Sequence, residues 1–135
     1  MTPPYGSALL EGVVEALRQL KEHGLELAIA STDTHRRTGA SFKALGIASF
    51  FDEIVGGNDV VNGKPSADMI LEICKKTGFK PDEAVMVGDS VSDMQMGKNA
   101  KVKACIGVLT GSTPREKLER IADVVIASVS DLHVL

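Results

Sequence analysis

Apolar residues recur along the chain with two alternating periods. Leu9, Leu10, Val13, Val14, Leu17 and Leu20 fall at helical spacing, with Glu11, Glu15, Arg18 and Lys21 between them and Gly24 as a stop signal. An amphipathic helix is predicted there. The run from Leu25 to Ala30 is apolar except for Glu26 and ends in Ser31-Thr32-Asp33-Thr34, which predicts a strand, a polar loop and a helix reaching Leu45. The pattern then repeats: strand at Glu53 to Val55, helix at Ser66 to Lys76, strand at Ala84 to Val87, helix at Val91 to Asn99. A strand at Lys103 to Leu109, a helix at Pro114 to Ile121 and a strand at Val124 to Ala127 complete it. Strands apolar on both faces that alternate with helices require a parallel sheet covered on two sides. The expected architecture is a three-layer α/β domain of Rossmann-like type, with residues 1–135 forming a single domain.

Composition narrows the partners. The 135 residues are 44% hydrophobic and 24% charged, which suits one core. Fifteen Lys and Arg against eighteen Asp and Glu leave a net charge of −3 with both signs dispersed, so no nucleic-acid partner is expected. No apolar run approaches the roughly 18 residues of a membrane span, and the start, Met1 to Gly6, lacks a basic stretch followed by an apolar one. A cytoplasmic protein without membrane attachment is expected. Cys74 and Cys105 sit in apolar stretches with no CxxC spacing, so they read as reduced core residues.

In a parallel sheet, ligands collect where strands end and helices begin, because loop side chains and free N–H groups meet there. Three groups occupy such positions. Gly88-Asp89-Ser90-Val91-Ser92-Asp93 follows the strand from Ala84. Its glycine permits a sharp turn, Asp89 offers a carboxylate suited to a hard cation, and Asp93, four residues on, can face the same pocket. Lys64, between Gly63 and Pro65, can neutralise a phosphate and a carboxylate together. Ser31 and Thr32 offer a hydroxyl and N–H groups to an oxyanion. Each also has a blander reading, with Asp89, Ser31 or Thr32 as helix caps and Lys64 as a solvated loop residue.

Their order and placement resemble the haloacid dehalogenase superfamily of phosphohydrolases, over nearly the whole chain. Leu27-Ala28-Ile29-Ala30-Ser31 is similar to that family's second motif, Gly63-Lys64-Pro65 to its third, and Val85 through Asp93 to its fourth. Phe50-Phe51-Asp52-Glu53-Ile54-Val55-Gly56-Gly57 and Gly107-Val108-Leu109-Thr110-Gly111 resemble connecting segments of its phosphoglycolate phosphatase-like branch. The resemblance implies that Ser31, with Thr32, binds the transferring phosphoryl group and that Lys64 stabilises its charge and the nucleophile's. It implies that Asp89 holds Mg2+ with Asp93 supporting, and that the substrate is a small phosphorylated molecule or phosphate.

One part of the family's pattern is absent. An Asp-x-Asp-x-Thr motif at the end of a first, central strand normally supplies the nucleophile and the acid–base, and no two aspartates here are two residues apart. The expectation is therefore an incomplete core without the first strand and cap, inactive alone. The strand from Leu25 and that from Ala84 would either pair directly or leave a gap for an N-terminal segment or a second copy. The alternative is a non-catalytic remnant or binding module that keeps a Mg2+ and phosphate pocket. A phospho-receiver domain fits poorly, because its lysine would follow its acids, whereas Lys64 precedes Asp89.

The remaining polar and sulfur residues carry no assigned chemistry. Met69, Met86, Met94 and Met96 read as core fillers, His23 as dipole compensation at a helix end, and Arg36 and Arg37 as a solvated helix face. His35 and His133 have no carboxylate or cysteine at a ligand spacing. Ser112 or Thr113 is expected to cap the helix whose first turn holds Pro114.

Overall fold

Each predicted helix and strand is present in the computed structural model, which describes residues 7–134. The stretch Met1 to Gly6 and the side chains of Leu9 and Leu10, both parts of the expectation, lie outside the described residues. In chain order the helices are α1 (Ser7–Glu22), α2 (His35–Ala44), α3 (Asp68–Thr77), α4 (Val91–Ala100) and α5 (Arg115–Glu119). The strands are β1 (Ala28–Ala30), β2 (Glu53–Val55), β3 (Val85–Gly88), β4 (Ala104–Val108) and β5 (Val124–Ile126). Gly24, Gly46 and Gly78 follow the ends of α1, α2 and α3 with φ of 83°, 76° and 82°, the left-handed conformation in which glycine stops a helix without strain.

Pairing is parallel throughout but falls into two sheets. β1 pairs with β2, Ala28 opposite Glu53, while β3, β4 and β5 pair in that order, with Val85 opposite Ala104 and Ile106 opposite Val124. The strands before Ser31 and Asp89 do not pair directly: β1 and β3 lie in different sheets, and each keeps an edge without a partner among the described residues. Val85 in β3 is accordingly 48% exposed, unusual for a strand of a parallel sheet.

Side chains rather than a hydrogen-bond ladder join the sheets. Val55, Met69, Ile70, Cys74, Met96 and Ala100 form one buried cluster, against which Ala30 of β1 and Met86 of β3 both pack. Met94, Cys105 and Leu118 form a second, which shares Met86 and Val102 with the first. Met69, Met94 and Met96 are fully buried, the role expected of them, since an unbranched thioether follows irregular space between helices. Cys74 and Cys105 are free, buried thiols, and burial pushes both upward from the ordinary thiol range. Gly97 is needed where α4 meets the sheet: a Cβ there would stand 2.5 Å from Cys105 Sγ. No helix among the described residues is long and apolar enough to cross a membrane.

Two aspartates extend the strand ladders from the side. Asp52 Oδ2 accepts from Leu27 N at 2.8 Å and from Lys21 Nζ at 2.5 Å, tying α1 to the entry of β1. Asp123 Oδ2 accepts from Cys105 N at 2.7 Å and from Lys98 Nζ at 3.1 Å, tying α4 to β4. The Lys21 ammonium and the Leu27 amide hold the Asp52 carboxyl below its ordinary range, and the Cys105 amide and Lys98 do the same at Asp123. A carboxyl depressed on folding contributes stability that is complete above its unfolded value and is lost as pH falls through the folded one. Asp52→Asn should therefore lower stability at pH 7 by about 0.5–1 kcal/mol, the range for a half-exposed pair. The gap between variant and wild type should close between about pH 5 and pH 2, as read from thermal melts across that range.

Candidate active site

The site is built where three loops meet helix starts. At the end of β3, Gly88 passes the chain to Asp89 and α4 begins. The cap of α4 is Ser90, whose hydroxyl accepts from Asp93 N at 3.1 Å, so Asp89 is not spent as the cap. Gly88 has an ordinary φ, and the need for glycine is close approach rather than a sharp turn: a Cβ there would lie 2.5 Å from Asp93 Cβ. The missing side chain lets the Asp93 carboxylate fold under the strand end. Gly111, in the loop after β4, plays the same part against Asp89, since a Cβ there would lie 2.3 Å from Asp89 Oδ2.

Asp93 is the junction. Its Oδ1 accepts from Lys64 Nζ at 2.6 Å and its Oδ2 from Asp89 N at 3.2 Å. The two ion-paired side chains are 14% and 8% exposed, so this contact between the loop before α3 and the first turn of α4, 29 residues apart, is nearly dry. Lys64 sits on a loop pinned from behind by Asn99 of α4, whose Nδ2 donates to Pro65 O at 2.8 Å. The structure thus brings Lys64, Asp89 and Asp93 into one hydrogen-bonded group. Asp89 itself is exposed, and its carboxylate accepts no hydrogen bond among the described residues.

Ser31 and Thr32 stand at the end of β1, in the other sheet, and no hydrogen bond joins them to the Lys64 group. They are not caps either. Thr34 caps α2, accepting from Arg37 N at 3.2 Å, which leaves Ser31 and Thr32 to the loop. Ser31 N donates to Val55 O at 3.0 Å, continuing the ladder with β2, and Ser31 Oγ accepts from Asp33 N at 3.1 Å. Accepting there leaves the hydroxyl hydrogen available to an oxyanion.

The donor set can be compared with what a magnesium ion needs. Mg2+ takes hard oxygens, one or two carboxylates and several waters, with substrate phosphate completing the shell. Asp89 has an open carboxylate; Asp93 gives both oxygens to protein donors and can support Asp89 only through its amide. Among the described residues no three His, Cys, Asp or Glu side chains gather as a ready-made cage. A single exposed carboxylate fits magnesium and does not fit zinc, which prefers nitrogen and sulfur.

Arg37 is largely solvated, as expected, and pairs at 3.5 Å with Asp33, while His133 Nδ1 lies 3.1 Å from Asp131 O. Two expectations are corrected. His35 does have an acidic partner, Asp59, 2.8 Å from its Nδ1, but one 24 residues away that no local spacing could show. Neither Ser112 nor Thr113 caps α5; Pro114 is the boundary residue and no side chain caps it. The residues that sequence reasoning missed are Asn58 and Asp59, which a Gly-Gly-Asn-Asp turn signal directly after β2 could have flagged.

Comparison with known proteins identifies the family. A family model described as haloacid dehalogenase-like hydrolase matches residues 6–107. The pyrophosphatase PpaX of Halalkalibacterium halodurans is 38% identical over 96 residues, 71% of this chain and 45% of that protein. The phosphoglycolate phosphatase of Escherichia coli is 31% identical over 128 residues, 94% of this chain and 50% of that one. Among solved structures, a hydrolase from Pseudomonas syringae superposes with a TM-score of 0.80 at 32% identity, covering 89% of this chain and 55% of its own. A HAD-superfamily hydrolase from Ehrlichia chaffeensis gives 0.75 at 27%, covering 90% and 54%. With its parallel strands and its loops in this order, the chain belongs to the haloacid dehalogenase-like hydrolase family. It spans about half the length of the relatives it matches.

The Lys64–Asp93 pair makes a direct prediction. Lys64→Met should destabilise the fold by roughly 2–3 kcal/mol, because a nearly buried carboxylate loses its counter-charge, and Asp93→Leu added to it should restore much of that loss. Denaturant unfolding of the two single variants and the double variant measures the coupling.

Proposed function

We propose that this chain is the phosphoryl-binding core of a magnesium-assisted phosphatase acting on small phosphorylated molecules. The observation that carries the reading is the Lys64–Asp93–Asp89 connection, which ties an ammonium through one carboxylate to the backbone of a residue with an open carboxylate at the end of a parallel strand. The names of the relatives, a pyrophosphatase and a phosphoglycolate phosphatase, suggest the substrate class. Ser31 donates its hydroxyl hydrogen to one phosphoryl oxygen and Thr32 N–H points to another, while Lys64 neutralises charge that grows on the equatorial oxygens. Asp89 would hold magnesium, with Asp93 fixing the Asp89 backbone. When bound, the cation supplies charge neutralisation at the phosphoryl group.

Covalent catalysis needs a carboxylate aimed at phosphorus, and these 135 residues hold no Asp-x-Asp pair. In this reading the chain alone binds the anion without turning it over, and a strand bearing Asp-x-Asp-x-Thr, supplied from outside these residues, lies against the unpaired edges of β1 and β3. The half-exposed Val85 is the apolar surface such a strand would cover. The two reduced thiols suit the cytoplasm. The absent aspartate pair also favours a second reading, a binding module that keeps the pocket without the chemistry.

Inorganic phosphate with MgCl2 should bind the wild-type chain and bind Asp89→Ala several-fold more weakly in the presence of magnesium. Aryl phosphate should not be hydrolysed until a peptide carrying the Asp-x-Asp-x-Thr strand is added. Turnover by the chain alone would overturn the placement of the nucleophile. Binding with no gain on adding the peptide supports the module reading, and dimerisation measured by sedimentation would give the edge strands to a second copy.

A further inference from the structure

The loop after β2 wraps around the start of α2, and its contacts decide which donors remain for an anion. Asn58 Oδ1 accepts from His35 N at 2.8 Å. Asp59 Oδ2 accepts from Gly56 N at 2.8 Å and meets His35 Nδ1 at the same distance, and the Gly56 amide, with His35, holds the Asp59 carboxyl below its ordinary range. Gly57 N donates to Asp33 O at 2.7 Å. The approach is close enough to require glycine twice: a Cβ at Gly56 would lie 2.2 Å from His35 N, and one at Gly57 2.5 Å from Thr32 O.

The amides around the start of α2 are therefore mostly taken. His35 N is held by Asn58, Arg37 N by Thr34 Oγ1, Thr34 N by Asp33 Oδ1 at 2.8 Å, and Asp33 N by Ser31 Oγ. What is left is the Ser31 hydroxyl hydrogen and the Thr32 N–H at the β1 end and the Arg36 N–H in the first turn of α2, neither amide having an acceptor among the described residues. Four acceptors thus quench donors that would otherwise compete for an anion.

We propose that Asn58 and Asp59 are positioning residues for phosphoryl binding. By occupying the His35 and Gly56 amides and pressing the loop after β2 onto Thr32 and Asp33, they reserve the Ser31 hydroxyl and the Thr32 amide for the oxyanion. Neither side chain touches the anion. The inference rests on the reading that Ser31 and Thr32 receive phosphate, and it adds that the choice of donors is imposed from the neighbouring strand's loop.

The test is an amide-resolved NMR titration of the full chain with inorganic phosphate, at a temperature well below unfolding. In the wild type, the Ser31 and Thr32 amides should shift and that of His35 should stay silent. In Asn58→Ala the affinity should fall roughly fivefold, as for one lost polar contact, and the freed His35 amide should become phosphate-responsive, a signature that mere loss of stability does not produce. Asp59→Ala should weaken binding similarly, and Asp59→Asn, which keeps an acceptor oxygen for Gly56 N, should recover most of it. If both alanine variants bind as tightly as wild type with His35 silent, the positioning role falls while the phosphate site stands. If the wild-type Ser31 and Thr32 amides ignore phosphate, the site reading falls and this inference goes with it.

Discussion

The Asp93 carboxylate is the constraint on which the site depends. Isolated in a nearly dry place it would be costly, so it must be met by donors, and both that meet it come from loops that would otherwise be independent. Lys64 arrives from the segment before α3 and the Asp89 amide from the tip of β3. Satisfying one buried acid thereby sets the position of an ammonium and the course of the backbone that carries an open carboxylate. The hydrogen bonds that satisfy the acid also hold the ammonium, which is why it is not free to wander in solvent.

A second organising fact is the division of the sheet. With β1 and β3 not paired to each other, the halves are joined through methionines, Val55, Cys74 and the small residues around them, and the loops at the two strand ends are ordered by side-chain contacts. Around Asp93 the means are an ion pair and an amide. Around Ser31 they are the Asn58 and Asp59 contacts onto α2. The Lys64–Asp93 pair also crosses between the halves, since Lys64 follows β2 and Asp93 lies in α4.

Much of this was legible beforehand because parallel strands buried on both faces read as short apolar runs, and the helices between them show a 3.6-residue period. The β2 boundaries were read to the residue, and Gly24 marked the end of α1 as its positive φ requires. Strand-end residues with useful chemistry could be named, since strand ends are where an α/β fold exposes them. What could not be read depends on distance through space. The His35 and Asp59 contact spans 24 residues and exists only because two glycines allow one loop to lie on another. Gly88 was legible as a turn former but serves as a gap for Asp93. The cap of α4 fell on Ser90 rather than Asp89, a shift of one position that decides whether a carboxylate is free.

The glycines of close approach set a limit on engineering this scaffold. Replacing glycine by alanine usually stiffens an unfolded chain and favours the native state where space and φ permit. At positions 56, 57, 88, 97 and 111 φ is not positive, yet the added methyl would collide with backbone or with a neighbouring side chain. Entropic stabilisation is open instead at Gly63, which has an ordinary φ and nothing within 4 Å of a prospective Cβ. That residue immediately precedes Lys64, so the same change would also stiffen the segment that delivers the ammonium.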